Sequence, residues 1–218
     1  MSAKARILRF AYKHGYAKLR RGKVRGVWID VGAHAGETSL QFALRNPGVM
    51  VFAFEPNWTL ARQLMGRLEN FVVLPMAVSD ADGTADFMIT ASDGSSSLLE
   101  KHEDGKALWA DYDMTITSTV TVPTIRLDTF MNRAGIDHVD FLKVDAEGAD
   151  MMVIDSCGDR LKDVARIRAE VDLAPTPLHE GAPTKAEFVA FMDARGFSLV
   201  EARKQNQDRQ ENLTFSRD

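Results

Sequence analysis

Two clusters of side chains in this sequence have the types and spacing to do chemistry. The first is Asp30-Val31-Gly32-Ala33-His34-Ala35-Gly36, preceded by the apolar Val27-Trp28-Ile29 and answered 25 residues after Asp30 by Glu55 in Phe54-Glu55-Pro56-Asn57. The second is Phe141-Leu142-Lys143-Val144-Asp145-Ala146-Glu147-Gly148, with Glu170 closing a later buried run. A buried strand, a glycine turn opening a helix and an acid at the tip of the next strand is how an α/β sheet holds an adenine nucleoside. The glycines allow close backbone approach, and the acid accepts hydrogen bonds from ribose hydroxyls. In such sheets ligands sit beyond the carboxyl ends of the strands, where Asp145, Glu147 and Glu170 are expected. Side chains alternate along a strand, so Lys143, Asp145 and Glu147 share a face for as long as the chain stays extended. Ionisable groups gathered at a buried strand end are costly unless they pair or bind something. A Lys–carboxylate network that only closes the strand end is the plain alternative; clusters of this kind also mark functional clefts.

The glycine turn discriminates between nucleosides. A dinucleotide site uses G-x-G-x-x-G, whose middle glycine admits a pyrophosphate to a helix N-terminus. Here Gly32 and Gly36 are present but His34 stands at the middle position, and no Walker lysine follows. Asp30 adds negative charge where a phosphate would be repelled. A cationic ligand is favoured, and S-adenosylmethionine, with an adenosine, an ammonium and a sulfonium but no phosphate, suits these residues better than NAD or ATP. Gly32 and Gly36 alone would mean no more than a tight turn; the paired Glu55 argues for a ligand.

The elements that must position these groups alternate. The patterning predicts strands at 27–32, 49–54, 71–78, 84–90, 117–125, 139–144 and 164–171, with helices at 36–45, 57–68, 127–134 and from about 149. No element is assigned over 98–115. Asp93-Gly94-Ser95-Ser96-Ser97 reads as a polar loop suited to a lid or a substrate contact, through Ser96 and Ser97. Thr184 and Glu187 form a capping box for a helix carrying Phe188, Phe191 and Met192, ended by Gly196. Segments 197–203 and 211–217 read as a hairpin around a polar Lys-Gln-Asn-Gln-Asp-Arg-Gln stretch. The alternation followed by a hairpin implies an α/β fold with a mostly parallel sheet and an antiparallel edge.

A chain of 218 residues with 45% hydrophobic content buries one sizeable core. No apolar run approaches a membrane span, and the basic N-terminus has no following apolar stretch of a signal peptide. Cys157 is the one cysteine, which excludes an intrachain disulfide and fits a cytoplasmic protein; it reads as a small buried hydrophobe. Residues 1–25 hold nine Lys or Arg and no acid, whereas the rest carries 18 basic and 31 acidic side chains. We therefore expect a basic arm over 1–26, with Ile7, Leu8, Ala11, Tyr12 and Leu19 near helical spacing, and one catalytic domain over 27–218. The arm reads either as a solvated capping helix or as a patch attracting an anionic substrate, a carrier protein or a membrane surface. Nucleic acid is not an expected partner of so acidic a body.

Taken in order, the stretches from Asp30 to Gly36 and Phe54 to Asn57, Ala77-Val78-Ser79-Asp80, Ser95-Ser96-Ser97-Leu98, Leu127-Asp128 and Phe141 to Gly148 resemble the successive signatures of the FkbM-type methyltransferases. The resemblance implies a Rossmann-like class I S-adenosylmethionine-dependent fold of seven strands with an antiparallel C-terminal hairpin and helices on both faces. It also implies mostly O-methylation, of sugars, polysaccharide components or natural products. Carried over by position, Asp30, Gly32 and Gly36 surround the methionine part and Glu55, with Pro56 and Asn57, the ribose. Ala77 and Val78 pack by the adenine, Ser79 bonds it, and Asp145 and Glu147 sit beside the transferring methyl. The family usually has Asn where this chain has His34, which here is expected to bond the cofactor carboxylate.

Methyl transfer to a hydroxyl needs alignment and a base within hydrogen-bond reach. The candidates are Asp145 and Glu147, with His102 and His179 as outside choices, each histidine reading more simply as surface or structural. Lys143 holds the acidic pair or steadies a developing oxyanion. Glu170 is expected to meet a small-molecule or glycan acceptor. Asp145, Glu147 and Glu170 could hold Mg²⁺ through hard oxygens; the sequence assigns no metal. A nucleotide-dependent oxidoreductase should show G-x-G-x-x-G and a Tyr-x-x-x-Lys helix, and neither occurs. A non-catalytic cofactor-binding protein would keep Glu55 without needing Asp145 and Glu147.

Overall fold

The computed structural model describes residues 24–102, 113–173 and 177–217, so the basic arm expected over 1–26 lies almost wholly outside the described residues. The described strands are β1 (Gly26–Val31), β2 (Val49–Phe54), β3 (Phe71–Leu74), β4 (Ala77–Val78), β5 (Gly83–Thr90), β6 (Ile116–Ile125), β7 (Phe141–Val144), β8 (Arg166–Asp172), β9 (Ser198–Gln205) and β10 (Gln210–Ser216). The helices are α1 (Ser39–Arg45), α2 (Trp58–Leu64), α3 (Leu127–Ala134), α4 (Asp150–Asp155) and α5 (Lys185–Asp193).

Seven strands form the main sheet in the order β3-β2-β1-β7-β8-β10-β9. The first five run parallel, and β10 lies antiparallel between β8 and β9. Period-two alternation splits the apolar residues between two cores. Ile29, Val31, Met50, Phe52 and Phe54 enter one with Phe130, Ile154 and Phe188 from α3, α4 and α5. Trp28, Val51 and Ala53 enter the other with Ala43, Ala61 and Leu64 from α1 and α2. Helices therefore cover both faces. Trp28 stands edge-on to Phe42 at 4.0 Å and to Phe141 at 5.0 Å, each contact worth about 0.5–1.5 kcal/mol beyond its area.

The differences from the expected elements have local causes. The run 71–78 breaks at Pro75, which has no N–H to donate, and the Met76 N–H turns back to Leu74 O at 2.8 Å. β4 then leaves the main sheet and pairs with β6, which pairs antiparallel with β5. The β-branched runs at 84–90 and 117–125 thus build a separate three-stranded sheet, sealed by Ala77, Phe87 and Val122. α1 starts at Ser39, three residues later than expected, after a turn in which Gly36 has φ 78°. α2 stops at Leu64, before Gly66 at φ 75°. The capping box forms as the sequence predicts: Thr184 Oγ accepts from the Glu187 N–H, and the Glu187 carboxylate accepts from the Thr184 N–H. No helix among the described residues is long and apolar enough to cross a membrane.

Candidate active site

Strand order reverses between β1 and β7, and the crevice at such a switch point is where open α/β sheets bind ligands. A cavity of about 320 Å³ opens there, within the usual range of small-molecule sites. Its wall comes from the ends of β1, β2, β7 and β8, the turn after β1 with Glu37 and Thr38, the 76–78 run and Phe87, the loop 93–98, and the tip of the β9–β10 hairpin.

Lys143 stands at the centre. It is buried, and its Nζ donates to Asp30 Oδ1 at 3.0 Å and Gly32 O at 3.2 Å and pairs with Asp145 Oδ2 at 3.2 Å. An ammonium has three donors, so all are engaged. Burial alone would lower its pKa, but the charges of Asp30 and Asp145 outweigh that and raise it. Lys143 keeps a full positive charge that holds two carboxylates in place.

Glu55, at the end of β2, organises the glycine turn. Its Oε2 accepts the His34 N–H at 2.7 Å and its Oε1 the Asn57 N–H at 2.8 Å. Burial pushes its pKa up to about 7, against the lowering effect of those two N–H groups. His34 is held at φ 49°, a left-handed conformation that is uncommon outside glycine. Its Nε2 lies 3.0 Å from Asp93 Oδ1 and its Nδ1 3.5 Å from Glu37 Oε1, so it ties the turn to the 93–98 loop across the cavity mouth. Burial works against its proton, but the Asp93 hydrogen bond and the charges of Asp93 and Glu37 raise its pKa above 6.5.

Three more carboxyls gather at the carboxyl ends of β7 and β8. Asp145, Glu147 and Glu170 each present an oxygen, and these atoms all lie within 4.8 Å of one another. Extended geometry ends at Val144, and Glu147 reaches the wall through a left-handed turn at φ 50° rather than by continuing the strand. Burial, then the charges of Asp145, Asp150 and Asp172, raise the Glu147 pKa well above the usual carboxylate range. Burial, then Asp145 and Glu147, does the same for Glu170. Behind them buried Asp150 accepts the N–H groups of Ala146 and Glu170, both at 3.1 Å, and so ties the ends of β7 and β8 together. Burial pushes its pKa up to about 7.

Twelve residues singled out from the sequence line this cavity: Asp30, Gly32, His34, Glu55, Pro56, Ala77, Val78, Ser96, Lys143, Asp145, Glu147 and Glu170. Others stand behind the wall. Asn57 caps α2 by accepting the Thr59 N–H at 3.0 Å. The Ser79 hydroxyl donates to Asp80 Oδ1, and that of Ser97 donates to Glu147 O at 2.8 Å. A Cβ on Gly36 would fall 2.8 Å from Leu64 Cδ2, so this glycine serves helix packing. Gly32 has φ 75°, and a Cβ there would lie 1.8 Å from Asp145 O; its missing side chain lets β1 and β7 close together. His179 is buried at a small second cavity that Glu147 and Glu170 also line, and burial followed by the Lys101 charge pushes its pKa down to about 3. The His102 N–H donates to Leu178 O at 2.8 Å, outside the main cavity wall.

Sequence reasoning missed Gln205, Asn206 and Gln210 from the hairpin, Met76 and Phe87 at the apolar end, and Asp150 behind the acids. It also missed buried Lys101, whose Nζ donates to Ser95 O at 2.8 Å. The polar run 204–210 was visible, but nothing local says that its tip meets the strand ends.

The lining chemistry is selective. Seven carboxyl groups (Asp30, Glu37, Glu55, Asp93, Asp145, Glu147 and Glu170) line the cavity, and Lys143 is the one Lys or Arg among the described lining residues. With its donors engaged, no Lys or Arg among the described lining residues is set to receive a phosphate. Carboxylates accept from ammonium and hydroxyl groups, and Phe54, Met76, Ala77, Val78, Phe87 and Leu98 offer an apolar end to a purine. The residues present therefore fit S-adenosylmethionine.

The strand order and this site define a class I S-adenosylmethionine-dependent methyltransferase domain. The family model described as the methyltransferase FkbM domain matches residues 30–199, and the chain belongs to that family. Among curated proteins, the 2-O-methyltransferase NoeI of Sinorhizobium fredii (strain NBRC 101917 / NGR234) is 30% identical over 139 residues, 59% of this chain and 56% of the relative. The chain thus spans little more than half the length of that relative. Among solved structures, a fibrillarin/Nop5p complex aligns with TM-score 0.50 and 10% identity over 90% of this chain and 74% of that one. Magnesium protoporphyrin IX methyltransferase from Synechocystis PCC 6803 with bound SAM aligns with TM-score 0.49 and 9% identity, covering 99% and 79%. At such identity the likeness to fibrillarin is one of fold.

Proposed function

We propose that this domain transfers the methyl group of S-adenosylmethionine to a hydroxyl of a sugar, a polysaccharide component or a comparable small natural product. The observation that carries the reading is the acidic group of Asp145, Glu147 and Glu170, joined at Asp145 to Lys143 and through it to Asp30, all lining one cavity. The 2-O-methyltransferase activity in the name of the relative NoeI supports a hydroxyl acceptor.

The bound cofactor supplies a methyl group on a positively charged sulfur, an electrophile with a good leaving group. The chain's work is to bind, orient and take a proton. Asp30 and Asp145, fixed by Lys143, would receive the ammonium end, Glu55 the ribose hydroxyls, and Ala77, Val78 and Phe87 the base. Glu147 is the base of choice. Burial and the neighbouring charges give its carboxylate a higher proton affinity than an ordinary one, so it takes a hydroxyl proton more readily. The left-handed backbone at Glu147 and the Ser97 hydroxyl on its carbonyl fix where that carboxylate stands. Proximity and orientation do the rest.

The test is label transfer from methyl-labelled S-adenosylmethionine to a panel of glycosides and oligosaccharides. Glu147→Gln should lower turnover by about 10²–10⁴-fold while leaving S-adenosylhomocysteine affinity within about twofold of wild type. Full turnover in that variant would remove Glu147 from the role.

A further inference from the structure

A hydrogen bond between two side chains bars the mouth of the main cavity. His34 Nε2 lies 3.0 Å from Asp93 Oδ1, and both residues line the cavity together with Glu37 and Thr38 on one side and Gly94 on the other. The bond joins the turn after β1 to the loop after β5, and these strands belong to different sheets. The His34 and Asp93 side chains are 37% and 52% exposed, whereas those of Asp30 and Lys143 on the cavity floor are 1% and 10% exposed. The pair therefore stands on the solvent side of the space that fits the cofactor.

The two posts are fixed and the bar between them is not. The His34 N–H is held by Glu55 Oε2 at 2.7 Å, on a backbone at φ 49°. On the other side Ser97 pairs with Met88 of β5: the Met88 N–H donates to Ser97 O at 2.9 Å and the Ser97 N–H to Met88 O at 3.2 Å. Lys101 Nζ donates to Ser95 O and Ser96 Oγ to Asp93 O, both at 2.8 Å. A Cβ on Gly94 would stand 4.0 Å from His34 Nε2, so this backbone passes close beside the ring. Opening then needs only the two side chains to rotate. An exposed pair of this kind shifts an equilibrium by about twofold to fivefold, weak enough to break on every turnover. Both ring nitrogens face carboxylates, with Nδ1 3.5 Å from Glu37 Oε1, so the imidazole serves the bar rather than the cofactor carboxylate.

We infer that His34 and Asp93 form a gate: their hydrogen bond closes the cofactor end of the cavity, and the fraction of time it is broken sets how fast the cofactor enters and its product leaves. Side chains rotate far faster than a ligand of this size exchanges. Such a gate scales entry and release by one open fraction, so it changes rates without changing affinity. The inference rests on the family's cofactor, and its test contains no acceptor, so it stands or falls apart from the hydroxyl-methylating reading.

The experiment is stopped-flow measurement of S-adenosylhomocysteine association and displacement, with Kd from calorimetry, in wild type, Asp93→Ala, His34→Asn and the double variant. This ligand has no sulfonium, so loss of the Asp93 charge changes its attraction little. The Asn amide ends where the imidazole Nδ1 stands and does not reach Asp93. Each single variant should raise both rate constants by the same factor, about threefold, and leave Kd unchanged. The double variant should be no faster than the faster single one, because the same bond is lost either way. Release that quickens alone, with Kd rising in step, would make these residues cofactor contacts and overturn the gate. Unchanged rates, or additive gains in the double variant, would overturn it too. Both side chains are partly exposed, and should one single variant fail to fold, the other carries the same test. A folded wild type that binds no S-adenosylhomocysteine would also overturn the inference, since the gate would have nothing to admit.

Discussion

Glu55 gives the sharpest quantitative test, because one carboxyl should govern stability and cofactor affinity in opposite directions. Folding raises its pKa from 4.5 to about 7. The gap corresponds to about 3 kcal/mol of preference for the protonated form in the folded chain. The folded state binds the extra proton between these two values. This contribution to stability is therefore fully present below about pH 4.5 and is lost as pH rises through about 7. A ribose, by contrast, donates its hydroxyls to a carboxylate, so cofactor affinity should grow as Glu55 ionises. If the bound form needs the carboxylate, the S-adenosylhomocysteine Kd should rise about thirtyfold from about pH 8.5 to about pH 5.5. Glu55→Gln removes the titration but also makes a new fault. The two oxygens accept N–H groups from His34 and Asn57, and an amide can accept only one of them. The other faces an NH₂, at a cost of about 1–3 kcal/mol. Calorimetry across pH would show weaker binding in this variant and no slope from Glu55. His34 also titrates in this window and sits beside Glu55, so His34→Asn is the control and should keep the slope; Asn tolerates φ 49° better than most residues. A flat wild-type profile, or the same slope in Glu55→Gln, would refute the reasoning.

Two further predictions concern the centre of the site. Lys143→Met leaves buried Asp30 without its cation and should cost about 3–5 kcal/mol in denaturant unfolding. The double variant with Asp30→Asn should recover most of that, and additive losses in the double-mutant cycle would contradict the pairing. Gly32→Ala forces a Cβ into the Asp145 carbonyl and a side chain onto φ 75°, so it should lose at least about 2 kcal/mol of stability. It should also weaken cofactor binding; a variant within about 0.5 kcal/mol of wild type would show that β1 and β7 are not closed together there.

The two-layered core was legible because buried parallel strands are continuous apolar runs such as Val49–Phe54, and those runs were visible without tertiary knowledge. The site was legible where chemistry and glycine occur in one short segment, as at Asp30–Gly36 and Lys143–Gly148. It was not legible where topology does the gathering. Gln205 joins Glu170 across 35 residues and Asp93 joins His34 across 59, and Gln205 and Asp93 are each an ordinary polar residue locally. The purpose of Gly32 was also hidden: its neighbour is Asp145 O, a backbone atom 113 residues away in sequence. The second sheet escaped notice because alternation identifies strands but not the sheet they join.

The most direct measurement is calorimetric titration of the purified protein with S-adenosylhomocysteine, with NAD and ATP as controls. The account predicts one-to-one, micromolar binding of S-adenosylhomocysteine and none of either phosphate-bearing nucleotide, since every donor of Lys143 is already engaged. Binding of NAD or ATP by a folded protein that ignores S-adenosylhomocysteine would contradict it.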